Sequence, residues 1–123
     1  MVRRVLIVED SEELLEVAAT ILRGAGYEVG TRKTGPSALA TILAHPPDLL
    51  LLDVMLPAMS GFEILQTLRE DRRTKDLKVI MVTSLNKPFD QEKAKALQVV
   101  EYIQKPYHPA TLLARVKAHA PLN

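Results

Sequence analysis

The sequence predicts an α/β domain, a doubly wound five-stranded parallel sheet with five helices. Three observations carry that reading. Apolar runs of four recur at Val5-Leu6-Ile7-Val8, Leu49-Leu50-Leu51-Leu52 and Val79-Ile80-Met81-Val82. Runs apolar on both faces suit strands sandwiched between helical layers. Segments of helical period lie between them, and alternation of strand and helix implies parallel neighbours joined by right-handed crossovers.

The elements follow in order. The first strand is Val5 to Val8. Ser11 can cap a first helix whose opening turn holds Glu12 and Glu13, favourable near a positive helix N-terminus. Leu14, Ala18, Ile21 and Leu22 then form its inward face, and Gly24 to Gly26 stops it. A weaker strand spans Tyr27 to Thr31. The second helix shows Ala38, Leu39, Ile42 and Leu43 on one face and ends at Pro46-Pro47. After Leu49 to Leu52, a third helix follows Gly61, with Phe62, Leu65 and Leu68 inward. After Val79 to Val82, a short charged helix spans Asp90 to Leu97, and a weaker fifth strand spans Val99 to Ile103. Pro109 opens the last helix, with Leu112, Leu113 and Val116 inward.

Composition narrows the class without naming a function. The chain has 123 residues, 47% of them hydrophobic, and 16 basic against 15 acidic side chains for a formal net charge of +1. This length predicts one domain over residues 1–123, with a core of its own and no room expected for a second. High apolar content and near-neutral charge exclude intrinsic disorder. The absence of cysteine excludes a disulfide framework and thiolate catalysis, and fits a cytoplasmic protein. No apolar run approaches the roughly 20 residues that span a bilayer, so no membrane role is expected. Eight of the sixteen basic residues lie between Arg69 and Lys95, but five acids are interspersed there. This reads as a solvated face, with no direct nucleic-acid binding expected.

The functional signal is a convergence. In such sheets ligands bind outside the carboxyl ends of the strands. There the three strong runs meet Glu9-Asp10, Asp53 and Thr83, and the fifth strand leads to Lys105. Three carboxylates close together call for a cation, and an all-oxygen donor set suits Mg²⁺. Asp53 is also a candidate nucleophile, since carboxylates form acyl phosphates. A lysine and a hydroxyl opposite it would bind phosphoryl oxygens.

Glu9-Asp10-Ser11, the segment Leu52 to Gly61, Thr83-Ser84 and Tyr102-Ile103-Gln104-Lys105-Pro106 together resemble the response-regulator receiver domain of two-component signalling, in its single-domain, chemotaxis-regulator-like form. The specific feature is the combination: an acidic pair, an Asp with Pro and Gly four and eight residues on, a Thr thirty residues on, and Lys-Pro. The resemblance implies a flavodoxin-like fold with strand order 2-1-3-4-5. It implies that Asp53 accepts phosphate from a histidine kinase or phosphotransfer protein. Glu9, Asp10, Asp53 and the backbone carbonyl of Met55 would hold Mg²⁺. Lys105 would contact the phosphoryl group, and Thr83 and Tyr102 would form the switch. A cis Lys105-Pro106 bond is also implied, as is an output face at residues 87–119 for a downstream protein. Met55 and Leu85 would flank the hydrolytic water without orienting it, which implies slow self-dephosphorylation.

The reading is therefore a phosphorylation-controlled switch and not a dedicated enzyme. Its alternative is a degenerate receiver that binds partners without phosphorylation. A phosphate-ester hydrolase is disfavoured because Met55 stands where a second catalytic Asp is needed. One departure is expected at Gln98, where a left-handed helix cap favours Gly. Asn86-Lys87-Pro88-Phe89 should make a stiff apolar loop. His45, His108 and His119 are read as ordinary surface or loop residues far from the site edge.

Overall fold

The computed structural model describes residues 3–122, so residues 1, 2 and 123 of the expected domain span lie outside the described residues. Five strands, β1 (Arg4–Val8), β2 (Glu28–Arg32), β3 (Leu49–Leu52), β4 (Lys78–Thr83) and β5 (Glu101–Gln104), alternate with five helices. These are α1 (Glu12–Gly24), α2 (Gly35–Ala44), α3 (Gly61–Glu70), α4 (Pro88–Ala96) and α5 (Pro109–His119). All strand pairs are parallel, in the order β2-β1-β3-β4-β5. The expected fold class and strand order are thus observed.

The two-faced apolar runs do what their pattern demands. Val5, Ile7, Leu49, Leu51, Ile80 and Val82 point to one side, against Leu15, Ala18 and Leu22 of α1 and Leu112 and Val116 of α5. Leu6, Val8, Leu50, Leu52, Val79 and Met81 point to the other, against Ala38 and Ile42 of α2, Ile64, Leu65 and Leu68 of α3, and Ala94 of α4. Alternation with period two along the strand divides each run between two cores. Side-chain oxygens of Ser11, Thr34 and Ser60 accept backbone N–H groups at the starts of α1, α2 and α3.

Three local expectations need correction. The inward face of α1 runs through Leu15, Ala18, Ala19 and Leu22, while Leu14 is 43% exposed. The spacing from Leu15 gives the tighter stripe at three, four and seven residues. Both weak strands start later than expected, for one shared reason. After α1, the N–H groups of Gly26 and Tyr27 donate to the carbonyls of Arg23 and Leu22, with Gly26 at φ +108°. After α4, the N–H groups of Gln98 and Val99 donate to Lys95 and Ala94, with Gln98 at φ +62°. Each is a Schellman closure that takes the first apolar residue into the helix end and away from the ladder. The expected departure at Gln98 is therefore real. Finally, Pro88 and Phe89 form the first turn of α4, not a loop, and Phe89 is 72% exposed.

Candidate functional site

The sheet delivers the site residues side by side. Val8 pairs with Leu52 across β1 and β3, and the next backbone bond runs from the Asp53 N–H to the Val8 carbonyl at 3.1 Å. Glu9 and Asp53 therefore leave adjacent strands at one level. On the other flank the Lys105 N–H donates to the Thr83 carbonyl at 2.9 Å, which fixes Lys105 beside the end of β4. Gly61 closes the connection from β3 to α3 against this edge. A Cβ there would stand 2.2 Å from the Asp53 carbonyl oxygen, so only glycine lets the backbone approach. The loop between is built from tight turns: Met59 N–H donates to the Pro57 carbonyl at 2.8 Å around Ala58, whose φ is +67°. This left-handed alanine is strained, of the kind found at functional loops.

Carboxylate oxygens of Glu9, Asp10 and Asp53 lie within 4.8 Å of one another. Glu9 and Asp53 are buried and Asp10 is exposed. Lys105 Nζ donates to Asp53 Oδ2 at 2.8 Å and to Glu9 Oε1. The opposite Asp53 oxygen, Oδ1, accepts the Met55 N–H at 3.1 Å, and Glu9 Oε2 accepts the Ser11 N–H at 3.2 Å. Burial pushes the Glu9 carboxyl above its ordinary range, against the pull of its bond to Lys105. Burial alone would lower the Lys105 ammonium, but its bonds to Asp53 and Glu9 outweigh it and raise the group above its usual value. The lysine is held charged between two acids, partly balancing a negative cluster. Oxygen donors at this spacing, one of them solvent-facing, fit a hard divalent cation that keeps several waters.

Thr83 is fully buried, and its Oγ1 accepts the Leu85 N–H at 3.4 Å. Tyr102 donates its hydroxyl to the Leu85 carbonyl at 2.5 Å. Thr83 and Tyr102, on neighbouring strands, thus hold the same loop residue. Met55 is 57% exposed, and its sulfur accepts the Ser84 hydroxyl at 3.7 Å. The Lys105-Pro106 bond is cis, as the resemblance implied.

The structure thus brings Glu9, Asp10, Asp53 and Lys105 into one cluster, with Thr83, Met55 and Tyr102 around it. The expectation for the histidines needs one correction. His108 follows the fifth strand on this same edge, where its Nδ1 caps α5 by accepting the Ala110 N–H at 3.1 Å. It is outside the carboxylate cluster. His119 bonds Glu101 at 2.9 Å from the far end of α5. Sequence reasoning missed the Met55–Ser84 contact and the left-handed Ala58. The first depends on how two loops meet, and the second is a positive-φ position that no glycine signals.

The family model described as response regulator receiver domain matches residues 5–117. The phosphate regulon transcriptional regulatory protein PhoB of Pseudomonas aeruginosa is 40% identical over 118 residues, covering 94% of this chain and 51% of that protein. The DNA-binding dual master transcriptional regulator RpaA of Synechocystis is 36% identical over 115 residues, covering 94% and 48%. The chain spans about half the length of these curated relatives. Among solved structures, chemotaxis response regulator CheY4 of Vibrio cholerae superposes with a TM-score of 0.89 at 31% identity, covering 96% of this chain and 98% of that one. A putative response regulator from Chloroflexus aurantiacus gives 0.89 at 33% identity, covering 96% and 97%.

Proposed function

The chain belongs to the response regulator receiver domain family, and from that premise we propose that it is a phosphorylation-controlled switch whose acceptor is Asp53. The family is one of signalling domains rather than dedicated enzymes, and its members interact with histidine kinases. The observation that carries the proposal is the cluster itself: a buried aspartate between an acidic pair and a lysine, at the carboxyl edge of the sheet.

In the proposed reaction an Asp53 carboxylate oxygen attacks the phosphorus of a phosphohistidine. The phosphorus–nitrogen bond breaks, its electron pair returns to the ring nitrogen, and that nitrogen takes a proton. Glu9, Asp10 and Asp53, with the Met55 backbone carbonyl, would hold Mg²⁺. That ion would supply charge neutralisation for the phosphoryl oxygens. Lys105 stays at Asp53 and supplies a second positive charge to the transferred group. Thr83 and Tyr102 would be the switch. If the Thr83 hydroxyl turns toward a phosphoryl oxygen, it gives up the Leu85 N–H, and the loop that Tyr102 also holds is released to rearrange. Phosphorylation would then bias an equilibrium of the face at residues 87–119, read by a downstream protein. Among the described residues no helix is long and apolar enough to cross a membrane.

Incubation with Mg²⁺ and acetyl phosphate, followed by intact mass measurement, tests this. The expected result is a gain of one phosphoryl group, lost in Asp53→Asn and with a chelator. No gain would favour a phosphorylation-independent binding module. Because Met55 and Leu85 offer no polar side chain to an attacking water, the phosphoryl group should persist for minutes or longer after donor removal. A half-life of seconds would contradict that.

A further inference from the structure

We infer that Met55 is an oxidation site, and that converting its thioether to a sulfoxide shortens the life of the phosphoryl group on Asp53. The inference rests on Asp53 being the acceptor. Three observations place the sulfur. Met55 is 57% exposed, whereas Met81 is fully buried and Met59 is half-buried against the core. The backbone of Met55 is tied to the acceptor, its N–H donating to Asp53 Oδ1 at 3.1 Å. Its sulfur reaches from the loop after β3 to the loop after β4, where it accepts the Ser84 hydroxyl at 3.7 Å. A thioether in this place is on a solvent-exposed side chain whose backbone is bonded to the reacting carboxylate.

The chemistry balances with a peroxide as oxidant. A sulfur lone pair attacks one peroxide oxygen and the O–O bond breaks. A sulfur–oxygen bond forms, and the departing oxygen leaves as water. Sulfur is oxidised by two electrons and the peroxide is reduced. The product differs from the thioether where it matters. Thioether sulfur is a weak acceptor that cannot hold a water firmly, whereas a sulfoxide oxygen is a strong one. Placed beside an acyl phosphate, it can hold and orient a water near the phosphorus. That water attacks phosphorus, the bond to Asp53 breaks with its electron pair returning to the carboxylate, and a proton passes to solvent. The Ser84 hydroxyl, already directed at this side chain, keeps the new oxygen over the site.

The test uses the full chain and hydrogen peroxide. Peptide mass mapping should find Met55 oxidised before Met59 and Met81. Oxidised and untreated protein are then phosphorylated with acetyl phosphate and Mg²⁺, and the decay of the added mass is followed after donor removal. The expected result is a several-fold faster decay after oxidation. Methionine sulfoxide reductase should reverse it, and peroxide should leave the decay of Met55→Leu unchanged. Slower reaction of Met55 than of Met59 overturns the inference. So does a decay that is unchanged or slower after oxidation, or equal acceleration in Met55→Leu. If untreated protein takes no phosphoryl group, the acceptor reading falls and this one with it. Phosphorylation with an oxidation-insensitive lifetime overturns this inference alone.

Discussion

Lys105 and Gln98 show two ways in which single residues set the behaviour of this domain. Lys105 bonds both Asp53 and Glu9, so removing its ammonium leaves two buried carboxylates facing each other. Gln98 occupies the left-handed position after α4, which is glycine at the matching position after α1. A non-glycine residue there costs about 1–2 kcal/mol of backbone strain. Gln98→Gly should therefore stabilise the domain by about 1 kcal/mol, read as a higher urea midpoint with unchanged slope. An unchanged or lower midpoint would show that the Gln98 side chain contributes contacts that offset the strain. That strain was legible in advance, because a helix end lacking glycine is visible in sequence. The carboxylate cluster was legible for a similar reason, since strand ends meet at one edge whenever the topology is parallel. The inward stripe of α1 was not. Leu14 and Leu15 are adjacent leucines, each starting an apolar stripe at helical spacing, and only packing against the sheet shows that Leu15 is the buried one.

At the scale of elements, α3 links the site to the turn between α4 and β5. Its first residue, Gly61, sits against the Asp53 carbonyl. Near its last turn Arg69 donates to the carbonyls of Leu97 at 2.8 Å and Gln98 at 3.3 Å, just past α4. The same guanidinium donates to Thr74 at 3.2 Å and Lys75 at 3.0 Å. Burial lowers its pKa from the ordinary value, yet it remains a cation at neutral pH. Lys93 of α4 adds a second tie, its ammonium 4.7 Å from the centre of the Phe62 ring. Arg69→Met keeps the aliphatic stem and removes the donors. It should cost about 2–3 kcal/mol and raise amide hydrogen exchange at Leu97 to Val100 above that of the sheet centre. Exchange there matching the wild type would show that the Schellman bonds alone hold the turn. Sequence pattern located α3 and α4 but could not reveal this clamp, because Arg69 reads as a surface arginine until the α4–β5 turn is placed over it.

Over the whole molecule, the topology gives an almost neutral chain a local cluster of negative charge. Five of its fifteen acids lie within the first sixteen residues, and two of these meet Asp53 at the carboxyl edge. At the opposite edge the turn after α1 is tied to the end of α5 by Tyr27, whose hydroxyl donates to the Ala120 carbonyl at 2.7 Å. Burial raises the Tyr27 phenol above its ordinary value of 10.0. A raised phenol favours the neutral form in the folded state, so its contribution is complete below pH 10.0 and is lost as pH rises through the folded value. Stability should fall above that pH, and Tyr27→Phe should flatten the fall while costing about 1–2 kcal/mol at neutral pH. Denaturant midpoints from pH 7 to 11 would check both, and equal alkaline slopes in the two proteins would assign the loss to other groups. The fold therefore gathers three carboxylates at one edge and pins the end of α5 at the other. The proposed function requires that Asp53, and not its acidic neighbours, accept the phosphoryl group. Reduction of the acetyl phosphate-treated protein with borohydride, which traps an acyl phosphate as the alcohol, followed by peptide mass mapping, decides this. The expected result is a single reduced residue, Asp53. Trapping at Glu9 or Asp10, or at no residue, would contradict it.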